Sequence, residues 1–412
     1  MNDPAGDDGT LDDGTMGDGT MGDGTGDDRS LTGAQRRRSL VAVIASLTVQ
    51  SLIFGLSMPL LALVLDAQGV DKTLNGLNAA AQSVAIFVVA PYVSRLVAFF
   101  GVLRLMIGTT LLSIFVFLML PLFPTVYAWF PLRFLLGLFG AVGWIAGEVW
   151  INQIVEERMR GRVIALYSSA LAGGMSIGPF VLAQTGIGGW TPYLIVAALS
   201  LLSAIPLLFA VNISPSVKGQ PSSGLSSFLL RAPTALLLNA VFAATYMAII
   251  TFLPIYALNL GVDQASSLYL LTVMAIGGLA MQLPVGWLAD HMDRLLLLIL
   301  SILLILIGLL AMPFVIAIAA WNMVFIFVFG GVTASLYTLA LILLGERFKG
   351  ADLASATTVF GVMWGVGSII GPPLGGQSME LWLPHGLPLM VGILFLIYLP
   401  FPVLEFLKKR NP

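Results

Sequence analysis

Long apolar runs, separated by short polar segments, fill the chain after about residue 38. A helix needs about 20 consecutive apolar residues to cross a bilayer, and only helices or closed barrels satisfy the backbone hydrogen bonds in lipid. The pattern therefore predicts an all-α membrane protein with twelve transmembrane helices. The runs lie at roughly Leu40–Leu65, Leu74–Ala98, Gly101–Pro121, Thr125–Gln153, Val163–Gly186, Trp190–Val211, Thr234–Leu260, Ala265–Asp290, Leu295–Phe314, Ala320–Leu344, Ala351–Met379 and His385–Leu407.

Polar segments divide the chain into four predicted parts. Residues 1–38 are expected to form a disordered acidic cytoplasmic tail, because nine of the 21 acidic residues and a series of GDGT-like repeats lie in the first 28 positions. An acidic interaction segment is the alternative to a solvated tail without a specific role. Residues 39–211 form an N-terminal six-helix half, 212–233 a cytoplasmic linker and 234–412 a C-terminal six-helix half.

The basic residues outside the apolar runs predict the orientation of the chain. Threading twelve helices places them on one side of the membrane, apart from Lys72, and leaves Arg133 within a span. Because short loops rich in lysine and arginine stay in the cytoplasm, we expect both termini and the linker to be cytoplasmic. The chain is then an integral multi-pass protein of the cytoplasmic (inner) membrane.

Composition narrows the possible functions. The chain is 58% hydrophobic and only 10% charged, with a mean hydropathy of +0.97, whereas soluble proteins carry about 25% charged residues. Cysteine is absent, and the two histidines, His291 and His385, are predicted on opposite membrane faces, which argues against a clustered nucleophile or metal site. The chain also lacks a G-x-x-x-x-G-K-[ST] phosphate-binding loop. We therefore expect no enzyme activity, metal, cofactor or nucleic-acid partner.

The two halves repeat one another at an offset of about 190 residues. A duplicated six-helix unit predicts two pseudo-symmetric bundles with a binding site between them near the bilayer midplane. The matching pairs, in the same order in each half, are Gly69-Val-Asp with Gly261-Val-Asp, Glu157-Arg-Met-Arg-Gly with Glu346-Arg-Phe-Lys-Gly, and Gly178-Pro179 with Gly371-Pro372.

Three short motifs connect this duplicated chain with a known family. Gly286-Trp-Leu-Ala-Asp290-His-Met-Asp293-Arg294 follows the pattern G-x-x-x-D-R/K-x-G-R/K-R/K in its glycine, first aspartate and final arginine. Arg133-x-x-x-Gly137 lies in the fourth run, and Gly367-x-x-x-Gly371-Pro372-x-x-Gly375-Gly376 in the eleventh. With these motifs, nearly all of the chain after about residue 38 resembles the major facilitator superfamily. Trp144-x-x-x-Glu148, followed by Arg160-Gly-Arg162, resembles its YcaD-like branch.

The resemblance implies a fold of two six-helix bundles, with the first, fourth, seventh and tenth helices around a central cavity. It also implies a proton-coupling role for Arg133 and a cytoplasmic latch at Asp290. Two departures matter. The first-half copy of the latch motif, Pro91-Tyr-Val-Ser-Arg95, lacks the acidic residue. The glycine motif of proton antiporters belongs in the fifth helix of the family, whereas here the fifth-helix copy, Gly174-x-x-x-Gly178-Pro179, lacks the trailing glycines.

Glu148 is the first candidate for ion coupling. An ionisable side chain inside a span is unfavourable in lipid and marks an ion or substrate pathway, and a carboxylate exposed alternately to each side can load and release a proton. The alternative is a structural hydrogen-bonding residue. Arg133 lies about 22 Å away along the same helix, at 1.5 Å per residue, so the two cannot pair. It takes part in coupling or, alternatively, snorkels to the outer face.

Polar and aromatic residues on the four cavity helices are candidates to line the site. Trp144 lies one turn before Glu148, on the same helix face, and Tyr246 and Tyr337 lie near the middles of the seventh and tenth helices. The alternative for each is packing or a hydrogen bond between helices. The predicted cavity residues are Trp144, Gln50, Phe54, Asn239, Tyr246, Asn322 and Tyr337.

A further group of residues is predicted to control opening and closing. Asp290 and Arg294, spaced i and i+4, are expected to pair in a cytoplasmic latch near Gly286, with an ordinary solvated ion pair as the alternative. Small residues let helices approach closely, and prolines bend them. Gly178, Pro179, Gly367, Gly371 and Pro372 are therefore expected at the seam between the two halves.

Together these observations predict a monomeric secondary transporter that works by alternating access. Its partners are a small-molecule solute, the proton and the lipid bilayer. The cavity candidates favour a neutral, amphipathic or cationic solute, and proton-coupled efflux through Glu148 is the leading hypothesis. Proton-coupled uptake, facilitated diffusion and a sensor that binds solute without moving it are the alternatives.

Overall fold

A computed structural model describes residues 32–210 and 225–410, all in helices and short connections. The predicted acidic tail up to residue 31 and the linker residues 211–224 lie outside the described residues. The helices are α1 (Gly33–Ala67), α2 (Lys72–Phe100), α3 (Val102–Met119), α4 (Val126–Ile154), α5 (Arg160–Thr185), α6 (Thr191–Leu208), α7 (Leu225–Arg231), α8 (Pro233–Asn259), α9 (Gln264–His291), α10 (Arg294–Val315), α11 (Ala319–Arg347), α12 (Gly350–Leu381), α13 (Gly386–Tyr398) and α14 (Pro400–Arg410).

Twelve spans in the described part of the chain are long and apolar enough to cross a membrane, which confirms the predicted number. Helices α13 and α14 together form the last of them. Short α7 leads into α8 and lies in the predicted linker. Helix α1 begins at Gly33, earlier than the first apolar run, because Thr32 caps it. The Thr32 side chain accepts a hydrogen bond from the backbone N–H of Gln35, and the Gln35 side chain accepts one from the backbone N–H of Thr32.

The repeated Gly-Val-Asp segments are the turns that start α2 and α9. Gly69 and Gly261 have φ of +74° and +83°, a left-handed conformation that glycine adopts without steric penalty. Asp71 then caps α2 through the backbone N–H of Leu74 at 2.9 Å, and Asp263 caps α9 in the same way. Hydrogen bonds from Ser266 hold the pKa of Asp263 below its ordinary value. The sequence repeat is therefore a repeat of helix starts.

Each half is held together by close helix pairs that contain the motif glycines. In the first half, Gly178 of α5 lies against the backbone of α1, and in the second half Gly367 and Gly371 of α12 lie against the carbonyl oxygens of Ala240 and Ala244 in α8. A Cβ atom at any of these glycines would overlap backbone atoms of the neighbouring helix. The prediction that these glycines form the seam between the halves is wrong, because they pack within each half.

The membrane-embedded bundle has two faces. We call the one where α1 begins and α14 ends the terminal face, and the one where α1 ends and α2 begins the opposite face. The halves meet mainly through α2 with α12 and α5 with α9. Toward the opposite face, Gly76 of α2 contacts the Pro372 carbonyl, and Gly376 contacts the Lys72 carbonyl. Pro372 therefore does lie at the seam between the halves.

Polar contacts also close the opposite face. The backbone N–H of Lys72 donates to the Glu380 carboxylate at 3.0 Å, and the Gln184 amide donates to the Tyr269 hydroxyl. Phe180 packs on the ring of Tyr269 at a centroid distance of 5.9 Å. These contacts connect the first half to the second on the side away from the termini.

At the terminal face, ion pairs of the described residues stay within one half. Such pairs hold each bundle without connecting it to the other. The contacts that join the halves at the opposite face therefore have no ion-pair counterpart among the described residues of the terminal face. The pairs are Arg36–Glu156 in the first half and Arg231–Asp352, Arg294–Glu346, Arg347–Glu405 and Lys409–Asp293 in the second.

Candidate solute-binding site

A cluster of five aromatic rings lies in the second half, near the middles of three helices. Phe242 and Tyr246 come from α8, Tyr337 from α11, and Phe360 and Trp364 from α12. Their ring centroids are 5.6 to 6.2 Å apart in tilted and edge-to-face arrangements, which are the favoured geometries for aromatic pairs. We call these five residues the aromatic cluster.

Helical spacing explains why the cluster forms. Phe242 and Tyr246 are separated by four residues, as are Phe360 and Trp364, so each pair shares one helix face. Tyr337 lies between these pairs and contacts Phe242, Phe360 and Trp364. Tyr246 and Tyr337 were predicted from the sequence, whereas the other three rings were missed. Their i, i+4 aromatic spacing is the signal that marks them.

Glu148 lies in α4 of the first half and is partly buried. Its Oε1 atom accepts hydrogen bonds from the Trp144 indole N–H and from the Tyr167 hydroxyl, both at 3.0 Å. The hydrogen bonds of the described residues end on Oε1, and none ends on Oε2. Trp144 therefore orients the carboxylate, and Tyr167 is a second orienting residue that the sequence analysis missed.

The carboxylate and the aromatic cluster belong to different halves, and they come near each other at one residue of the cluster. Glu148 interacts electrostatically with Tyr337 of the cluster, whose side chain is 38% exposed. No lysine or arginine of the described residues forms an ion pair with Glu148. The result is a carboxylate held only by neutral donors, with aromatic rings across the space between the halves.

Arg133 is fully buried in the first half, on the same helix as Glu148 but far from it. Its guanidinium donates to Asn78 Oδ1 of α2 at 3.3 Å and to the Met58 sulfur of α1 at 3.4 Å, while its Nε lacks a partner. Within the described residues, no carboxylate pairs with it. The alternative that Arg133 snorkels to the outer face is wrong, because its side chain is enclosed by three helices.

A small cavity of about 20 Å³ lies at the junction of the halves, and Phe54 is one of its walls. Pro179 of α5 and Tyr246 of the aromatic cluster also line it. The Tyr246 hydroxyl lies 2.8 Å from the Met175 sulfur, which connects α8 to α5 across the junction. Phe54, Pro179 and Tyr246 are therefore positioned where the two halves meet.

Three of the predicted cavity residues have other surroundings. Asn239 is fully buried and donates to the Phe360 carbonyl at 2.7 Å, so it joins α8 to α12. Asn322 lies at the start of α11 and donates to the Ile316 carbonyl at 3.2 Å. Gln50 lies between α1 and α4, where its side-chain oxygen is beside Gly143. For Asn239 and Asn322, the prediction of a cavity-lining position is wrong.

The predicted latch at the terminal face also has a different partner. Arg294 pairs with Glu346 at the end of α11 and donates from its Nε to the Ala289 carbonyl at 3.2 Å. Asp290 is exposed, and Gly286 has open space around it. The predicted Asp290–Arg294 pair is therefore wrong, because the side chain of Arg294 turns toward α11 rather than along its own connection.

A second ion pair extends this network. Lys409 near the end of α14 lies 2.6 Å from Asp293, whose carboxylate also accepts from the backbone N–H groups of Leu295 and Leu296. The hydrogen bond from Lys409 is the main reason that the pKa of Asp293 lies below its ordinary value. The network surrounds a polar cavity of about 380 Å³ that belongs to the second half alone.

Two helix bundles with a shared site between them are the architecture of a membrane transporter. The family model for the Major Facilitator Superfamily matches residues 43–330 and 234–412. The chain belongs to this superfamily.

Two relatives resemble the chain over most of its length. An uncharacterized MFS-type transporter, YfkF of Bacillus subtilis (strain 168), is 24% identical over 79% of this chain and 85% of its own length. The uncharacterized MFS-type transporter YcaD of Escherichia coli O45:K1 (strain S88 / ExPEC) is 25% identical over 66% of this chain and 71% of its own length.

The crystal structure of the nucleoside transporter NupG matches the fold with a TM-score of 0.67. The match covers 89% of this chain and 96% of NupG at 15% identity, so it shows the fold alone. Relatives and fold neighbours are transporters rather than enzymes, and they support transport of a solute across a membrane.

Proposed function

We propose that this protein exports a small organic solute across the cytoplasmic membrane in exchange for protons, by alternating access of one site between its two halves. The observation that carries the proposal is Glu148, a partly buried carboxylate that, among the described residues, accepts hydrogen bonds from Trp144 and Tyr167 and pairs with no basic side chain. The orientation predicted from the basic residues makes the terminal face cytoplasmic, so the closed opposite face is the external one.

The surroundings of Glu148 suit a residue that changes its charge during transport. Both hydrogen-bond donors are neutral, so they orient the carboxylate without supplying a positive charge. An isolated charge at this depth is unfavourable in a membrane, and binding a proton or a cation relieves it. A structural ion pair would have a lysine or arginine here, and the described residues provide none.

Arg133 is proposed to take part in the same coupling, although it lies too far away to touch Glu148. A fully buried guanidinium with no carboxylate partner among the described residues is an uncompensated charge, which is unfavourable by several kcal/mol. Its neighbours Met58 and Asn78 lie on α1 and α2. Movements of these helices during alternation would change its surroundings, and the state of Arg133 can therefore favour one conformation over the other.

The helix seams support alternation of two rigid units. The close glycine contacts join α1 to α5 and α8 to α12 within the halves, whereas the halves meet along α2 with α12 and α5 with α9 and are joined by hydrogen bonds toward the opposite face. Opening that face requires the Lys72–Glu380 and Gln184–Tyr269 hydrogen bonds to break and α2 to separate from α12, while the contacts inside each bundle can stay in place.

The test is proton flux in proteoliposomes that contain a pH-sensitive dye and purified protein. A panel of drugs, sugars and nucleosides is added under a pH gradient, and solute-dependent proton movement is recorded. We expect at least one solute to drive proton movement in the wild type and not in Glu148→Gln. Glu156→Gln, which changes a carboxylate just beyond the same helix, is the control and should behave as wild type.

Full gradient-driven transport by Glu148→Gln would contradict the proposed coupling residue. Solute flux that never moves protons would favour facilitated diffusion instead. Proton movement in the same direction as the solute would favour proton-coupled uptake.

A further inference from the structure

We propose that the site takes monovalent organic cations with an aromatic or apolar body, and that one such cation exchanges for one proton at Glu148, so that transport moves no net charge. This inference rests on the proposed function and adds the substrate class and the stoichiometry to it. It follows from the geometry of one carboxylate, the aromatic cluster and the positions of the other charges.

The first step is the free oxygen of the carboxylate. Trp144 and Tyr167 both donate to Oε1, and Oε2 receives no hydrogen bond from the described residues. The Oε2 atom is therefore available to one positive partner at a time. A proton bound there makes the side chain neutral, whereas an ammonium or similar group bound there forms an ion pair.

The second step is the aromatic surface across from Glu148. The faces of tyrosine, tryptophan and phenylalanine rings carry negative charge density and attract cations, at about 0.5 to 2 kcal/mol for each well-placed ring. Tyr337 is partly exposed and electrostatically coupled to Glu148, and Trp364 packs against it with ring centroids 5.8 Å apart. A carboxylate facing such rings suits a charged head group with an apolar or aromatic body.

The third step is that the site holds a single charge. Besides Glu148, the acidic residues of the described chain lie at helix ends or in connections. Most are engaged there in pairs or caps: Asp66 with Lys72, Glu346 with Arg294, Glu405 with Arg347, Asp293 with Lys409, and Glu380 with the Lys72 backbone. A dication would need a second carboxylate in the site, and an anion would need a basic group beside the aromatic cluster.

The titratable and charged groups on the helices packed against Glu148 do not alter this count. Tyr167 of α5 and Tyr337 of α11 are the titratable groups that interact with it. On α1 to α3, Arg36 pairs with Glu156 and Lys72 pairs with Asp66, while Arg37, Arg38, Arg95 and Arg104 are exposed toward the terminal face. Arg160 and Arg162 are exposed at the start of α5, and neither forms an ion pair with Glu148. The remaining charged residue of the membrane interior, Arg133, is enclosed in the first half away from the cluster.

The stoichiometry follows from competition for one carboxylate. When the cation binds, the proton on Glu148 leaves to the same side, and the cation-loaded site alternates to the other face. There the cation leaves, a proton binds to Glu148 and the neutral site returns. One proton moves inward for each monovalent cation that moves outward, so the membrane potential neither drives nor opposes the cycle.

The experiment measures solute flux in proteoliposomes with three monovalent cations of different shape, namely ethidium, tetraphenylphosphonium and N-methylquinolinium, and with uridine as a neutral aromatic solute. A pH gradient is imposed, and valinomycin with potassium sets the membrane potential to zero or to a large value of either sign. We expect at least one of the three cations to move against a proton, at a rate that changes less than twofold with potential.

Matched variants connect the result to the site. Glu148→Gln should lower cation flux at least tenfold, while Glu148→Asp, which keeps the charge, should still bind the cation in a thermal-shift assay. Trp364→Leu should weaken cation binding severalfold, whereas Trp287→Leu, which removes a 61% exposed tryptophan at the terminal end of α9, should leave it unchanged. Thermal unfolding of each variant shows whether it is folded.

Each contrary outcome has its own meaning. Proton-coupled transport of uridine with no flux of any of the three cations would overturn the substrate class and leave the proposed function standing. Cation flux that rises or falls strongly with potential would overturn the one-for-one exchange. Absence of proton-coupled flux for the whole panel in folded protein would overturn the proposed function and this inference together.

Discussion

At the scale of single residues, the two charges on α4 have opposite surroundings. Glu148 is partly accessible, is oriented by two neutral donors and interacts electrostatically with Tyr337 of the second half. Arg133 is enclosed within the first half and has two weak acceptors, an amide oxygen and a thioether sulfur. Both were visible in the sequence as charges inside an apolar run. The order of residues in that run does not indicate which of the two charges lies near the second half.

Replacing Arg133 is expected to affect transport and thermal stability differently. Arg133→Met keeps an unbranched chain and removes an uncompensated buried charge, so we expect a melting temperature equal to or above that of the wild type. If Arg133 takes part in coupling, gradient-driven flux should nevertheless fall at least tenfold. Thermal unfolding and proteoliposome flux of the same preparation check both. A large loss of stability would show instead that Arg133 is a structural anchor through Asn78.

The lowered pKa of Asp293 leads to a prediction of how the stability of the protein depends on pH. Its folded-state pKa is lowered chiefly by the hydrogen bond from Lys409. A lowered folded pKa stabilises the protein above the unfolded value of about 4, and this stability is lost as pH falls through the folded pKa. Because the pair is partly solvent-exposed, the effect should stay below about 1 kcal/mol.

The variant that tests this is Asp293→Asn. Asparagine caps a helix about as well as aspartate, so the change removes the charge while keeping the cap of α10. Thermal unfolding should show a small loss of stability at pH 7 that shrinks steadily as the pH falls below about 4, through the folded pKa. A difference that does not change between pH 7 and the lowest pH at which the protein stays folded would mean that the cap, rather than the charge, was disturbed. Asp352→Asn, in the more exposed pair with Arg231, is the control and should have a smaller effect.

At the scale of helices, close pairs within each half depend on glycines that face a neighbouring backbone. A Cβ atom on Gly371 would overlap the carbonyl of Ala244 in α8. Gly361 lies on the same helix with open space around it. Both substitutions change helix propensity equally, so their comparison isolates the packing of α12 against α8.

We expect Gly371→Ala to destabilise the protein by about 1–3 kcal/mol, because overpacking forces the helices apart. Gly361→Ala should be neutral or slightly stabilising, since alanine favours a helix over glycine by about 1 kcal/mol. Thermal unfolding in detergent measures both. Equal melting temperatures for the two variants would show that the α8–α12 seam is looser than its backbone contacts indicate.

At the scale of the whole molecule, the contacts between halves at the opposite face must break if the proposed alternating access takes place. The chain has no cysteine, so introduced pairs form disulfides without background. Gln184 and Tyr269 hydrogen-bond across the halves at the opposite face, and cysteines at both positions are expected to cross-link readily in the purified protein.

This cross-link should block transport, because it prevents opening of the opposite face, and reduction should restore it. Flux before and after adding a reductant checks the result. The single-cysteine variants are the controls and should transport in both conditions. Undiminished flux in the fully cross-linked protein would show that opening does not require separation of α5 from α9.

Sequence periodicity and charge were sufficient for the coarse architecture. Twelve apolar runs, the repeated Gly-Val-Asp turns and the motif glycines led to the number of helices and to the duplication, because these depend on local chain properties and on the length needed to cross lipid. Glu148, Tyr246 and Tyr337 could be named as candidates from the sequence, since a charge or a pair of aromatics is conspicuous in an apolar helix, and their role in a central site stays a prediction.

Only the tertiary structure decided which side chains share a space. Tyr167 donates to Glu148 and Trp364 packs on Tyr337, although both lie on helices outside the four expected to line the site. Asn239 instead joins two helices. Arg294 selects Glu346 in another helix over its neighbour Asp290. Each outcome depends on the rotation of a helix about its own axis and on its neighbours. An almost uniformly apolar helix in lipid has little amphipathic pattern to reveal that rotation, so close packing between helices determines it.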